Sequence, residues 1–410
     1  MKYLLIIGDG MADNPVDALG GKTPLEVAHI PNMDALAAHG QMGSVVNCPK
    51  GLPPGSDTAI LSIFGCDPRT CYTGRAPLEA AATGIALNPG DAAYRCNMVS
   101  YEDTDLPLEQ RRILSHNAGS IEGDLSDTLI KALFEDPDFR QAAEQAGVCV
   151  YPGNSFRHIA VQRSAQLAGI RLLPPHDHLG EVVGPLLPSG CPNANTLRDL
   201  MLRAHRFLNH HPLNEARRTQ GKLPANGIWF WAEGTAVALP SFPDTYGTGG
   251  GVISAVPLCH GIAVLTGLEP VTVPGATGEL ETNYEGKAQA ALDTLERWDF
   301  AAVHVEAPDE CTHNGDTPGK IQAIEWLDSR VLAPLLQGLA QRGWDYRMLI
   351  LSDHKTLTST RGHDGDPVPY LLYDSSRPLS GGGDTYSERA GKAGPFVPDG
   401  TALMSLLFDK

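Results

Sequence analysis

Basic residues are in deficit: 31 Lys and Arg stand against 48 Asp and Glu, a net charge of −17. A sequence-independent grip on DNA or RNA needs lysine and arginine to replace phosphate counterions, so nucleic acid is not an expected partner. A small anionic ligand stays open, because it requires only a local arginine cluster or a metal ion. Long apolar runs are scarce as well. The run nearest the start, Tyr3–Ile7, falls short of the roughly 7–15 residues of a signal-peptide core and the roughly 20 of a membrane span, which predicts a soluble, cytoplasmic chain with no membrane partner. Eight cysteines are scattered without a CxxC pair; this disfavours a disulfide framework or a thiolate zinc site and predicts reduced thiols buried as small apolar side chains. Internal repeats, heptads and low-complexity tracts are missing. So are a GxSxG elbow and a Lys-Ser/Thr ending after Gly247-Thr248-Gly249-Gly250-Gly251, so neither a hydrolase elbow nor a Walker ATP loop is signalled.

What is present is ordinary globular composition, 42% hydrophobic and 19% charged over 410 residues, long enough for two or three domains at about 150 residues each. Short apolar runs alternate with amphipathic stretches, the pattern of an α/β fold. Lys2–Ile7 runs into Gly8-Asp9-Gly10, Phe300–Val305 into Glu306-Ala307-Pro308-Asp309, and Arg347–Leu351 into Ser352-Asp353-His354. Each strand delivers a carboxylate where it ends, and open α/β sheets bind ligands at the carboxyl ends of their strands. Ile228–Trp231 and Ile262–Thr266 read as further strands of that sheet; Thr196–Asn209, Gly286–Arg297 and Pro318–Arg342 read as helices, the last broken near Pro334. Strand-like Ala93–Val99, helical Ser126–Phe134 and Phe139–Ala146, then Val148–Tyr151 and His158–Gln162 suggest an inserted α+β domain over 91–181, leaving 1–90 and 182–410 as a discontinuous core. Gly180–Pro192 and Gly381–Pro398 read as surface loops.

Within Pro308-Asp309-Glu310-Cys311-Thr312-His313 the spacing of Asp309 and His313 puts both on one face of a helical turn. Asp353-His354 and the nearby His363 add a carboxylate and two imidazoles, and such a set suits a divalent first-row metal, manganese or zinc. A lone histidine is ordinarily a hydrogen-bonded structural residue; three strand-end carboxylates in company favour a metal site. Ser56, in Pro54-Gly55-Ser56-Asp57-Thr58-Ala59, reads either as a helix N-cap or as a metal-activated nucleophile at a phosphate-binding helix start. Arg75 and Arg157 sit in loop-like settings and are either solvated or phosphate and carboxylate clamps. His176-Asp177-His178 alternates as an extended strand would and reads as a substrate-side or structural element.

In this order the motifs resemble the alkaline phosphatase superfamily, and more closely its archaeal-type cofactor-independent phosphoglycerate mutases, over essentially the whole chain. The resemblance rests on Gly8-Asp9-Gly10-Met11-Ala12-Asp13, the Ser56 segment, Tyr72-Thr73-Gly74-Arg75-Ala76-Pro77-Leu78-Glu79-Ala80, Tyr151-Pro152-Gly153-Asn154-Ser155-Phe156-Arg157-His158, Pro175-His176-Asp177, Gly221-Lys222-Leu223-Pro224-Ala225-Asn226, Val273-Pro274-Gly275-Ala276-Thr277-Gly278 and the two metal segments. It implies a two-metal core with an inserted substrate domain. Asp9, Ser56, Asp353 and His354 would hold one ion, and Asp309, His313 and His363 the other, with manganese favoured over magnesium or zinc. Ser56 would accept the phosphoryl group during interconversion of 3- and 2-phosphoglycerate without 2,3-bisphosphoglycerate, while Arg75, Arg157, His158 and Asp177 would bind the substrate. Lys355 and the Gly362-His363-Asp364 context depart from the family pattern and alter the surroundings of the ligands. Bacterial members of this branch also carry the label of proposed homoserine kinases, so a homoserine phosphotransferase or a metal-dependent phosphomonoesterase are the alternatives.

Overall fold

A computed structural model describes residues 1–379 and 385–409, which divide into two compact units, 1–72 with 238–410 and, inserted between them, 73–237.

The first unit is built on an eight-stranded mixed sheet. Its order is Phe396–Val397, Gln41–Val45, Val368–Asp374, Tyr346–Leu351, Lys2–Gly8, Phe300–Val305, Gly250–Ile253 and Glu269–Val271. Lys2–Gly8 lies parallel between Phe300–Val305 and Tyr346–Leu351, with Gly8 opposite Val305 and Ile7 opposite Leu351. The three strands predicted to deliver carboxylates are therefore neighbours that end side by side. Helices cover this sheet, so its central strands are continuous apolar runs: Leu4 to Ile7 and Met348 to Leu351 are at most 1% exposed. The helix Tyr284–Arg297 starts where the Asn283 side chain caps the Gly286 N–H at 2.9 Å, and it buries Ala288, Ala291, Leu292 and Leu295 at three-to-four spacing.

The long helix expected over Pro318–Arg342 breaks as its proline predicts. Thr317–Trp326 gives way to a π-helical turn, Leu327–Leu332, before Ala333–Arg342 resumes. Pro334 lacks an N–H and its ring crowds the carbonyl four residues earlier, which widens the preceding turn. That turn carries Asp328, whose carboxylate accepts the Met33 N–H at 2.7 Å and the Asn32 N–H at 3.2 Å and so caps the helix Pro31–Ala37.

The inserted unit holds an antiparallel sheet in which Ala92–Tyr101 pairs with Arg157–Gln162, with Ile113–Ser115 and with Gly227–Thr235, while Val148–Tyr151 pairs with Arg157–Gln162. Gly123–Glu135, Pro137–Gln145 and Pro192–Leu208 are its long helices, the last burying Leu197, Leu200, Met201, Ala204 and Leu208.

Four expectations change. Ile228–Trp231 joins the insertion's sheet rather than the main one, with Phe230 opposite Cys96; a short apolar run specifies a strand but not its partner. That pairing, together with packing of the helices Arg75–Ala82 and Pro192–Leu208 on these strands, widens the insertion beyond 91–181. Ile262–Thr266 is the end of a helix, Pro257–Thr266, punctuated by proline at its start and by Gly267 at φ 78° after it. Of Gly381–Pro398, residues 381–384 lie outside the described residues, and the remainder contains the helix Glu388–Ala393 and the strand Phe396–Val397. All eight cysteines are free thiols, five of them buried. No helix among the described residues is long and apolar enough to cross a membrane.

Candidate active site

Each strand end brings its acid to the same place. Asp9 follows the first strand directly; Asp309 lies in the first turn of the helix Ala307–His313 that follows Phe300–Val305; Asp353 and His354 follow Tyr346–Leu351. His363 sits on a small hairpin strand, Gly362–Asp364, with Thr356 opposite it on Lys355–Leu357. Ser56 is the first residue of the helix Ser56–Ile63, with Gly55 at the cap position and no side-chain cap. The capping reading of Ser56 is thus wrong by one residue, and its hydroxyl is free for other use.

That hydroxyl lies 3.2 Å from Asp9 Oδ2 and 3.2 Å from His354 Nε2. His354 Nε2 is in turn 3.3 Å from Asp353 Oδ2 and 3.4 Å from Asp9 Oδ1. On the other side, Asp309 Oδ2 is 3.1 Å from His313 Nε2, Asp309 Oδ1 is 3.5 Å from His363 Nε2, and the two imidazoles approach to 3.0 Å. Two sets of donor atoms converge within ion-binding reach, Asp309 with His313 and His363, and Asp9 with Asp309 and His354. Asp309 belongs to both sets, a sharing the sequence reading did not assign.

The electrostatics call for cations. Burial, reinforced by the carboxylates of Asp353, Asp309 and Glu306, pushes the Asp9 carboxyl well above its ordinary range. Asp353 takes the N–H groups of Gly10 and His354 on Oδ1, at 3.1 and 2.8 Å, while its buried Oδ2 has no hydrogen-bond partner. A buried carboxylate oxygen that accepts no hydrogen bond is costly unless a cation meets it. Burial raises the Asp309 carboxyl, but hydrogen bonds from His313 and His363 outweigh it and hold it below its usual range; the same bond lifts His313 to about 9. Burial holds His354 below its usual value.

Several supporting residues escaped the sequence reading. Thr356 donates its hydroxyl to Asp309, and the fully buried Lys320 donates to the Thr356 carbonyl at 2.7 Å and to Asp13 at 2.9 Å. Asp13 stood in the Gly8–Asp13 motif; nothing about a mid-helix lysine signals this use. Gly10 is confined for a steric reason: at φ 58°, a Cβ there would lie 2.6 Å from Asp309 Oδ1.

The inserted unit carries a separate cationic bay. Arg75 opens the helix Arg75–Ala82 rather than lying in a loop, and its Nε meets Glu79 Oε1, one turn on, at 3.1 Å. Arg95 forks onto the same buried carboxylate. Arg157 begins a strand opposite Asn97, donates to Asn97 Oδ1 at 3.4 Å, and stacks 5.5 Å from the Trp231 ring, which Arg95 approaches at 4.7 Å. Burial and the neighbouring Arg95 lower Arg157 to about 10, so it stays charged at neutral pH. Three guanidiniums around one carboxylate leave a surplus positive charge suited to a phosphate or carboxylate.

Two further residues expected at the substrate are His158 and Asp177. His158 is fully buried, with Nε2 3.0 Å from the Ser126 hydroxyl and Nδ1 accepting the Gly153 N–H at 3.2 Å, so both ring nitrogens are spent inside the unit. Asp177 lies in a 3₁₀ turn, Pro175–His178, not an extended strand; it is 61% exposed, and its neighbour His176 is the residue that packs on Trp231, at 5.2 Å.

Parallel strand ends that gather aspartates and histidines around a serine at a helix start define an α/β protein with the donor set of a metal-assisted phosphoryl-transfer site. The profile of 2,3-bisphosphoglycerate-independent phosphoglycerate mutase matches residues 37–214, and that of type I phosphodiesterase / nucleotide pyrophosphatase matches residues 193–364. The chain is 41% identical over 411 residues to a probable 2,3-bisphosphoglycerate-independent phosphoglycerate mutase of Geobacter sulfurreducens, covering 100% of both. It is 42% identical to the enzyme of that name from Methanosarcina barkeri, covering 96% of each. Among solved structures, a Pyrococcus horikoshii protein superposes with TM-score 0.81 at 29% identity, covering 100% of this chain and 97% of that one. The cofactor-independent phosphoglycerate mutase of Thermoplasma acidophilum follows at 0.65 and 25%, covering 100% and 99%. The chain belongs to the 2,3-bisphosphoglycerate-independent phosphoglycerate mutase family.

Proposed function

We propose that the protein interconverts 3-phosphoglycerate and 2-phosphoglycerate by passing the phosphoryl group through Ser56. The observation that carries this reading is the Ser56 hydroxyl, held 3.2 Å from both Asp9 and His354 among buried carboxylates; full-length relatives named as mutases of this kind support the substrate.

Asp9, Ser56, Asp353 and His354 would hold one divalent ion, and Asp309, His313 and His363 a second, with Asp309 placed to serve both. The buried Asp353 Oδ2, which accepts no hydrogen bond, fits such an occupant. Oxygen and imidazole donors without thiolate suit manganese, with magnesium or zinc as alternatives. When bound, the ions lower the pKa of the Ser56 hydroxyl and offset charge on the transferring group.

Ser56 Oγ gives up its proton and attacks phosphorus in line; the bond from phosphorus to the glycerate oxygen breaks, and that oxygen leaves with the electron pair and takes up one proton in place of the one the serine released. Asp9 and His354 fix the direction of Oγ, and the first N–H groups of its helix face the phosphate. Return of the group to the other hydroxyl of the same glycerate breaks the Ser56 O–P bond, so no 2,3-bisphosphoglycerate is consumed. The Arg75, Arg95 and Arg157 forks hold the anionic ends of the substrate. Keeping water from the phosphoserine separates a mutase from a phosphatase. This reading puts the enzyme in cytoplasmic glycolysis.

Phosphorus NMR of manganese-supplemented protein with 3-phosphoglycerate, quenched and stripped of metal, tests it beside Ser56→Ala. The 2-phosphoglycerate signal is expected from the wild type, and a loss of about 10⁴-fold or more in the variant. Inorganic phosphate in place of 2-phosphoglycerate means a phosphomonoesterase, and untouched substrate directs the search to another acceptor, homoserine first. Unchanged turnover in Ser56→Ala removes the serine from the mechanism.

A further inference from the structure

A buried imidazole stands between Asp9 and a serine that takes no part in the reaction just described. His304, on the strand Phe300–Val305, is 1% exposed; its Nε2 lies 3.0 Å from Asp9 Oδ2 and its Nδ1 lies 3.1 Å from Ser254 Oγ. Ser254, equally buried, follows the neighbouring strand Gly250–Ile253. Its oxygen already accepts the Val256 N–H at 3.0 Å. Among the described hydrogen bonds, the remaining partner for its own proton is His304 Nδ1, and a buried hydroxyl that fails to donate loses a bond it would have made in water.

Ser254 therefore donates to Nδ1, which makes Nδ1 an acceptor. In a neutral ring the single proton is then on Nε2, and Nε2–H donates to Asp9 Oδ2. The chain of donors runs one way, from the Val256 N–H through Ser254 and His304 to Asp9. The backbone of His304 is pinned as well: the fully buried Lys287 donates to its carbonyl at 2.9 Å.

We infer that Ser254 and His304 are positioning residues: they fix the Nε2–H tautomer, tie down Asp9 Oδ2, and leave Asp9 Oδ1, 3.4 Å from His354 Nε2, as the oxygen presented to a divalent ion. The inference rests on the reading that Asp9 holds such an ion. Outer partners that orient metal ligands commonly carry 10–100-fold in affinity. His304 is then more than filler for the core. A leucine fills the same space but cannot donate, whereas a glutamine amide reaches the same oxygen with an N–H.

Manganese titration calorimetry on the full chain, with melting temperatures as a check on folding, separates these cases. Wild type is expected to bind two ions. His304→Leu is expected to weaken the ion at Asp9 and His354 about 10–100-fold, while the ion at Asp309, His313 and His363 is retained. His304→Gln is expected to recover most of the loss, and Ser254→Ala to fall between, because the ring proton is then free to move to Nδ1. Nitrogen NMR of ¹⁵N-histidine protein without metal, with the His304 signals identified by their loss in His304→Gln, is expected to show the Nε2–H tautomer in wild type and a mixture in Ser254→Ala. A folded His304→Leu with wild-type affinity at both sites overturns the inference, as does a glutamine variant no better than leucine or an Nδ1–H ring in wild type. A wild type that binds no manganese overturns the ion reading and this inference with it. That outcome is distinct from wild type and His304 variants alike binding two ions with the same affinities.

Discussion

Asp13 and Lys320 form a buried ion pair, 2.9 Å from Nζ to Oδ2, in which neither side chain is more than 1% exposed. Lys320 also donates to the Thr356 carbonyl, and Asp13 also accepts from the backbone and hydroxyl of Thr358, so the pair ties the glycine-rich turn after the first strand to the hairpin that carries His363. Removing one partner leaves a charge buried without compensation. Lys320→Met is expected to lower stability by about 3–5 kcal/mol, read by denaturant unfolding. The pair Asp13→Leu with Lys320→Met is expected to recover part of that, because the stranded charge is gone. A single variant as stable as wild type would show that the pair does not hold this junction.

The crowd of acids at the strand ends predicts that the ion-free protein melts early. Asp9 is pushed up by burial and by Asp353, Asp309 and Glu306, a mutual repulsion that a divalent ion relieves. An ion that binds only the folded chain adds about 2.7 kcal/mol at 100 times its Kd. Scanning calorimetry after chelator dialysis, with and without manganese, is expected to show that gain as a higher Tm. Asp353→Asn, which neutralises the oxygen that accepts no hydrogen bond, is expected to raise the Tm of the ion-free form and to shrink the manganese effect. Equal melting with and without manganese would remove the ion from the site.

The cationic bay predicts a change in substrate binding without a change in ion binding. Arg157 is stacked near Trp231 and hydrogen-bonded to Asn97, and a lysine there keeps the charge but loses the planar fork. Arg157→Lys is expected to raise KM for phosphoglycerate about tenfold, on the order of the 1.4 kcal/mol that a charge-assisted bond contributes. Gly74→Ala is expected to do the same by another route. At φ 145° a Cβ at Gly74 would lie 1.9 Å from the Glu233 carbonyl oxygen, so the chain entering the Arg75 helix must shift. Steady-state kinetics paired with manganese calorimetry separate the two effects. A loss of ion affinity in either variant would contradict the separation.

Sequence pattern located the reaction end of the core sheet because three parallel strands, buried on both faces, must be apolar and must stop at polar residues, and Asp9, Asp309 and Asp353 stand at those stops. It could not say which residues back them up. His304 and Lys287 lie within segments whose periodicity is satisfied without them, so their polarity looks like noise until the neighbouring strand and helix are placed. The insertion's true extent was hidden for a related reason: Gly227–Thr235 reads as any buried strand, and its pairing with Ala92–Tyr101 spans more than a hundred residues. His158 was assigned by motif to the substrate, but its place on a strand face turns the ring inward, a matter of register that residue identity does not reveal.

That inward ring supplies the pH prediction. Burial lowers His158 and His205, both in the inserted unit, to about 4, against about 6.5 for an exposed histidine. His205 is held neutral with Nδ1 2.7 Å from the Asn226 carbonyl, and His158 is held between Ser126 and Gly153. Between pH 6.5 and 4 the unfolded chain binds a proton at each ring and the folded chain does not, so stability rises with pH in that window. Above it both states are neutral and the contribution is fully present; below about pH 4 both states are charged and it is lost. Each ring accounts for at most about 3 kcal/mol. Chemical unfolding at fixed pH values from 7 to 4, followed by tryptophan emission from Trp229 and Trp231 of this unit, is expected to show the loss setting in below pH 6.5. His158→Gln is expected to flatten the slope while lowering stability at pH 7, because glutamine does not titrate and fits the site less well. A His158→Gln slope identical to wild type would mean that this ring is not held neutral in the folded chain.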